Sequence, residues 1–250
     1  MVCPVFAAAG AANKIPVLMY HHILKDDENV HFKENSCVLS YEKFKEQMKY
    51  LYDNGFTTIT AKQLVDFLYN KKELPSKSIM LSFDDGYYSN IVHAYPILKE
   101  YGFKAVIFAI TGMIEDEIQP FDPNMLDRIN RVEMKKTVDV FDYASHSHNL
   151  HYMNEKLSAI EAVSDDEFIS DTKKSLSLTE INNKICYSYP YGKYGKNTIQ
   201  HLKQLGFRLA FIAKKGYVKK STDPFKINRF DIYQDMTFSR FQKIVELTYM

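Results

Sequence analysis

The chain has no tryptophan, and only three of its 250 residues are cysteine. Cys3, Cys37 and Cys186 fit no zinc or redox spacing. Their odd number excludes a full disulfide framework and leaves room for a single bridge. An excess of charge of either sign is also missing: 32 basic and 31 acidic residues leave a formal net charge of +1. That balance argues against electrostatic binding of nucleic acid. No apolar run reaches the length of a membrane span. There is no internal repeat, low-complexity tract or linker. What remains is a globular composition, 46% hydrophobic and 25% charged, able to bury a sizeable core. Tyrosine (18) and phenylalanine (17) are plentiful. Most belong in the core, but exposed tyrosine faces are also suited to stacking on sugar rings.

Strand-like and helical patterns alternate along the chain. Residues 15–20, 56–59, 78–83, 105–110, 138–144, 184–189, 207–213 and 227–232 read as strands. Ser40 caps a helix that Gly55 ends, and Thr60 with Gln63 forms a capping box. A helical stretch at 89–101 is interrupted by Pro96. Asp122-Pro123 opens a helix to about Met134. Ser164 with Glu167 opens another to about Ile181, and further helices are expected at 197–205 and from about Ser239. Residues 25–36 are polar and read as a loop. Such alternation gives parallel βαβ units, and roughly seven or eight of them in this length favour a barrel over an open sheet.

Barrels carry their chemistry at the C-terminal ends of strands. His21-His22, Asp84-Asp85-Gly86, the stretch 145–151 and Pro190-Tyr191-Gly192 all fall there. Ionised carboxylates at the end of a buried strand need a partner, because desolvating them is costly. A metal ion or a reacting group would serve; a helix cap is the plainer alternative. Adjacent residues on an extended chain point to opposite sides, so Asp84 and Asp85 share one centre only at a kinked strand end, which Gly86 permits. Asp85 with two histidines would make three protein ligands and an open position, the pattern of a catalytic metal. Such an ion activates water, and Asp84 is left to act as base. The plainer reading of the histidine cluster is a polar loop with solvated imidazoles. Spacing alone leaves the pairing open, since His148 and His151 share a face if the loop makes a helical turn. His21 and His22 face opposite ways, and only one can reach the barrel mouth.

From residue 15 to about 246 the sequence resembles the NodB-type polysaccharide deacetylases, carbohydrate esterase family 4. Phe83-Asp84-Asp85-Gly86 is similar to the family's first motif, in which the first Asp is the catalytic base and the second a metal ligand. Ser145-His146 through His151 resembles the second, which supplies two metal histidines. Ser188-Tyr189-Pro190-Tyr191-Gly192 resembles the third, whose Tyr backbone N–H helps hold the oxyanion. The departures are specific. The histidines His146 and His151 are spaced by five residues instead of four, as in the poly-N-acetylglucosamine deacetylases of biofilm systems. Ser188 stands where the third motif begins with Arg; Arg229 either supplies that charge or is a surface ion pair. The Asp-Trp and Leu-x-His motifs are missing. In the biofilm subgroup the barrel is circularly permuted and the acid is the histidine of an N-terminal Tyr-His, which Tyr20-His21 matches.

The resemblance therefore implies an α/β fold, a distorted (β/α) barrel of about seven strands, circularly permuted. Residues 14–250 would form the catalytic domain, after a leader remnant or disordered N-terminus at 1–13. The implied reaction is metal-dependent removal of N-acetyl groups from N-acetylglucosamine units of a bacterial polysaccharide. Poly-N-acetylglucosamine leads, with peptidoglycan and chitin behind it. Asp84 would be the base and His21 the acid. One divalent ion, zinc ahead of cobalt, nickel or iron, would sit on Asp85, His146 and His151. Tyr191, Pro190 and Arg229 would serve the oxyanion and substrate, with Tyr87 and Tyr191 lining a polymer groove. The expected partner is the polysaccharide, with no nucleic acid and no transmembrane segment. The expected place is extracellular or at the cell surface. A non-catalytic glycan-binding relative and an O-acetyl, xylan-type esterase of the same fold stay open.

Overall fold

A computed structural model describes residues 10–249. Most of the segment expected to be leader or disordered, including Cys3, lies outside the described residues. Ala12 lies inside them: it is buried, and its amide donates to the Leu74 carbonyl at 2.8 Å. Cys37 is exposed, Cys186 is buried, and both are free thiols.

Among the described residues the strands are β1 (Val17–Tyr20), β2 (His22–Leu24), β3 (Val38–Ser40), β4 (Thr57–Thr58), β5 (Ser78–Asp85) and β6 (Ala105–Ala109). They continue with β7 (Phe141–Ser145), β8 (Met153–Asn154), β9 (Leu157–Ser158), β10 (Cys186–Ser188), β11 (Leu209–Phe211) and β12 (Phe230–Asp231). The α-helices are α1 (Tyr41–Asp53), α2 (Ala61–Tyr69), α3 (Tyr95–Glu100) and α4 (Arg131–Lys136), then α5 (Ala159–Ala162), α6 (Asp165–Ser177), α7 (Thr198–Gln204) and α8 (Phe238–Val245).

One parallel sheet carries the fold, in the order β11-β10-β7-β6-β5-β1-β12, with β4 added on β5. It curls until its edges share one segment. Ile227 pairs with Phe211 of β11, and a few residues later Phe230 and Asp231 pair with Leu18 and Met19 of β1. The result is the barrel that the alternation of elements predicts, in the distorted form that the resemblance implies. Alternation within β5 sorts its residues. Ile79, Leu81 and Phe83 pack outward with Phe44 of α1 and Leu98 of α3, while Met80 packs with Phe108, Phe211 and Ile227. Ser82 and Asp84 are in phase with Met80, so the barrel's own apolar filling ends at its mouth in a carboxylate.

Several boundaries differ from the sequence expectations. No helix runs from Asp122 to Met134. The Asp122 carboxylate instead accepts the Asn124 amide, and α4 begins only at Arg131, capped by Asn130. The intervening backbone is committed to tertiary bonds: the Tyr88 amide donates to the Asp127 carbonyl, and the Ile129 amide to the Gly86 carbonyl. The helical stretch expected at 89–101 is present, and its interruption near Pro96 is a change of winding: a π-helical turn at Asn90–Ala94 runs directly into α3, with Pro96 at the junction. Helix α6 stops at Ser177, short of Ile181. The β2–β3 pair and the β8–β9 hairpin are too short for any periodicity to show.

Gly86 has φ +71°, and a Cβ there would come within 3.2 Å of the Ala109 Cβ. Gly86→Ala is therefore expected to lower stability by about 1–2 kcal/mol, read from urea unfolding. A midpoint equal to that of the parent would show that the strand end tolerates a side chain.

Candidate active site

Asp84 is nearly inaccessible, at 3% exposure. Arg229, just ahead of β12, meets it with both arms: Nη1 donates to Oδ1 at 2.7 Å and Nη2 to Oδ2 at 2.8 Å. The Ser188 hydroxyl donates to Asp84 Oδ2 at 3.1 Å and accepts from Arg229 Nη2 at 2.9 Å. Ser82 Oγ donates to the Leu18 carbonyl at 2.7 Å and faces Arg229 Nη1 at 3.4 Å. The guanidinium packs beside the paired rings of Phe108 and Phe211, with Cζ 5.7 and 5.8 Å from centroids that are themselves 5.2 Å apart. At 1% exposure Arg229 is no surface ion pair. Burial pushes the Asp84 carboxyl up, but the charge of Arg229, then that of His146, outweighs it and holds the pKa below the ordinary carboxylate value.

Asp85 follows on the same strand and on a straight chain would face away from Asp84. Its φ is +72°, and that of Gly86 is +71°. The kink foreseen at Gly86 thus begins at Asp85 itself. Arg128 Nη1 donates to the Asp85 carbonyl at 3.2 Å and braces the turn. His146 directly follows β7, with its Nδ1 2.8 Å from the Ser188 carbonyl. The proton therefore belongs on Nδ1, and Nε2 presents a lone pair. Nε2 of His146 lies 3.6 Å and Nε2 of His151 lies 3.2 Å from Asp85 Oδ1. The ligand atoms of these three residues all fall within 4.8 Å of one another. Burial lowers the His146 pKa to about 4. Burial raises that of Asp85, but the bond to His151 and the neighbouring imidazoles bring it below the usual range. A neutral imidazole and an ionised carboxylate are the forms that bind a metal. Asp85 and His151 keep some solvent exposure, 12% and 18% at the side chain. Two imidazoles, one carboxylate and an accessible side are the donor set of an open divalent-ion site.

His148 lies off this cluster, its Nδ1 3.0 Å from Thr111 Oγ1. Of the two pairings left open by spacing, the structure brings together 146 and 151. His21 and His22 diverge, as extended neighbours must. His22 is buried with Nδ1 2.7 Å from Ser89 Oγ. Burial first, then the charges of Arg128 and His93, lowers its pKa to about 4. His21 is half-buried and shares the field of Asp84, Asp85 and Asp231. Its Nδ1 is shielded from solvent without a hydrogen-bond partner among the described residues. Tyr191 has φ +57° and is 45% exposed. Its ring lies 4.8 Å from that of His151 at an interplanar angle of 31°. Pro190 beneath it is buried.

One expectation is overturned. Tyr87 does not line an open groove: it is 8% exposed. Its ring is covered by the Arg128 guanidinium, with Cζ 4.1 Å from the centroid, and lies 4.9 Å from the ring of His22. Sequence reading also passed over Asp231, which stands beside Met19 in the barrel register. Burial raises its pKa, opposed first by His21 and then by Arg229. Alternation could have found it, because Arg229 and Asp231 share one face of β12. Ser82 shares a face with Asp84 in the same way.

The polysaccharide deacetylase family model matches residues 71–210. That span includes Asp84, Asp85, His146, His151 and Tyr191. The poly-beta-1,6-N-acetyl-D-glucosamine N-deacetylase of Staphylococcus aureus is 28% identical over 239 residues, which cover 89% of this chain and 80% of that protein. Among solved structures, the Streptococcus pyogenes deacetylase PplD in complex with acetate is similar at a TM-score of 0.78 and 25% identity, over 93% of this chain and 98% of the other. IcaB from Ammonifex degensii shares the fold at a TM-score of 0.76 and 22% identity, over 95% of this chain and 98% of the other.

Arg229→Met would leave Asp84 buried and unpaired. The expected loss of stability at neutral pH is about 3–5 kcal/mol. The folded pKa of Asp84 lies below its unfolded value, so the pair's contribution is present above the ordinary carboxylate range. It disappears as pH falls through the folded pKa. The gap between parent and variant should therefore narrow below about pH 4. Urea unfolding across that range would refute the assignment if the gap stayed constant.

Proposed function

As the chain belongs to the polysaccharide deacetylase family, we propose that it is a metal-dependent hydrolase that removes N-acetyl groups from N-acetylglucosamine units of a bacterial polysaccharide. Poly-N-acetylglucosamine is the favoured polymer. The observation that carries this reading is an ionised, doubly anchored carboxylate, Asp84, directly beside the Asp85, His146 and His151 cluster. The similarity to the Staphylococcus aureus enzyme supports the choice of polymer.

Asp85, His146 and His151 would hold one divalent ion, zinc by this donor set. When bound, it supplies Lewis acidity to the attacking water and to the acyl oxygen. Asp84 is the base. Arg229 and Ser188 keep its carboxylate ionised and fixed, so it can take a proton from the water as that oxygen attacks the amide carbon. The Tyr191 N–H receives the charge that develops on the acyl oxygen. His21 gives a proton to the leaving nitrogen as the carbon–nitrogen bond breaks. The products are acetate and a glucosamine unit with a free amine. Pro190 and the left-handed backbone at Tyr191 present the tyrosine ring at the mouth, where it can stack on a sugar face.

Residues 14–250 act as the catalytic unit, on a polymer that lies outside the cell or on its surface. No helix among the described residues is long and apolar enough to cross a membrane.

Acetate release should be measured side by side on poly-β-1,6-N-acetylglucosamine, peptidoglycan, chitin fragments and acetylated xylan. Release is expected to be greatest from the first and to rise from monomer to oligomer. Release from xylan alone would replace the amidase reading by an esterase one; none from any substrate would leave a glycan-binding protein.

His21→Ala should lower kcat by about 10²–10⁴, the usual worth of a general acid, without loss of the ion. His151→Ala should lose the ion, while His148→Ala should keep it. Loss of activity on His22→Ala with His21→Ala still active would reverse the assignment of the acid.

A further inference from the structure

We propose that Asp171 is the positioning residue of the metal centre, holding the loop between His146 and His151 in the one shape that lets both histidines reach Asp85. The proposal rests on the reading of Asp85, His146 and His151 as metal ligands.

The two histidines are five positions apart in the chain. A separation of three or four would place them on one face of a helical turn; five does not. The surplus residue has to be taken up by a kink, and the kink is at Ser147, with φ +70°. The next two peptide groups then turn their amides to the same side. Successive backbone amides arranged in this way form an anion-binding concavity. Its occupant here is a side chain of the protein. Asp171, 7% exposed on α6, accepts the His148 amide on Oδ1 at 2.8 Å and the Asn149 amide on Oδ2 at 2.7 Å.

The opposite edge of the loop is bonded as well. The Thr111 amide donates to the Ser147 carbonyl at 3.1 Å, and the Gly112 amide to the His148 carbonyl at 2.9 Å. A Cβ at position 112 would fall 1.9 Å from Asn149 Oδ1, so the loop presses on bare backbone there. With carbonyls held on one side and amides on the other, the chain reaches His151 by a single path. Asp171 touches neither the reacting atoms nor a metal ligand; its action on the ion passes through the placement of His151.

The test is zinc affinity of the full-length protein, measured by competition with a chromophoric chelator. The variants are Asp171→Ala and the milder Asp171→Asn, which keeps the shape but offers one acceptor fewer. Ser164→Ala removes the N-cap of the same helix without touching the loop. Asp171→Ala should weaken zinc binding about 10–100-fold, the usual effect of losing a residue that orients a ligand. Asp171→Asn should fall between it and the parent. Ser164→Ala should lower Tm and leave the affinity unchanged.

If Asp171→Asn folds by near-ultraviolet circular dichroism and binds zinc as tightly as the parent, the proposal fails. It also fails if Ser164→Ala weakens zinc to the same degree, because the effect would then be one of general stability. A parent protein that binds no zinc, or binds it equally well after His151→Ala, defeats the underlying metal reading instead. The two failures are therefore told apart by the parent and His151→Ala measurements.

Discussion

The buried pair of Asp84 and Arg229 is the constraint to which the rest of the mouth conforms. An ionised carboxylate at the end of an apolar barrel would otherwise take up a proton, because desolvation favours the neutral form. Two parallel hydrogen bonds from a guanidinium make the charged form the stable one. The pair also needs its remaining donors and acceptors met, since the gain from a buried ion pair is lost when hydrogen-bonding positions go unfilled. Ser188, Ser82 and the Ile212 carbonyl meet them. Phe108 and Phe211 together cover one side of the guanidinium. Arg229 also lies between Ile227, which bonds to β11, and Phe230, which bonds to β1. Closing the barrel and ionising Asp84 are thus accomplished by one segment.

The second organising element is the left-handed turn at Asp85 and Gly86. Period-two alternation separates two adjacent carboxylates, and the turn brings them back to one side. They keep different surroundings after that. Asp84 points down into a dry pair with Arg229, whereas Asp85 points to the imidazoles and keeps contact with solvent. Identical side chains one residue apart are thereby suited to different tasks, a division made by backbone conformation rather than by residue type.

Much of this was legible in the sequence because it depends on short-range pattern. The Ser40 and Thr60 caps, the apolar run into Asp84-Asp85 and the clustering of polar residues at strand ends are all local signals, and they led to the barrel and to its mouth. The failures share a different physics. Residues 122–134 carry good helix-start chemistry at Asp122-Pro123, yet their backbone is spent on Tyr88 and Gly86, which no local rule anticipates. Tyr87 looked like a surface ring because nothing nearby in sequence shows Arg128 lying over it. Arg229 and Asp84 are 145 residues apart, so the choice between ion pair and base partner waited for the barrel register. Asp171 was missed for the same reason: the loop amides it accepts lie 22 and 23 residues away, and only the assembled fold brings them together.

The position of the closing segment, after every other strand of the sheet, also bears on biosynthesis. Strands from β1 to β11 are made before residue 224, and until the next residues emerge the sheet has two bare edges, β1 and β11. During that interval Asp84 lacks its guanidinium partner and the mouth stands open to solvent along one side. The partly made protein is a curled sheet whose two edges are free to pair with another strand. The segment that follows residue 223 pairs with β11 and with β1 and brings Arg229 to Asp84. Covering the edges and drying the carboxylate are therefore one event in synthesis, and the sheet loses its capacity for stray pairing as its mouth is completed.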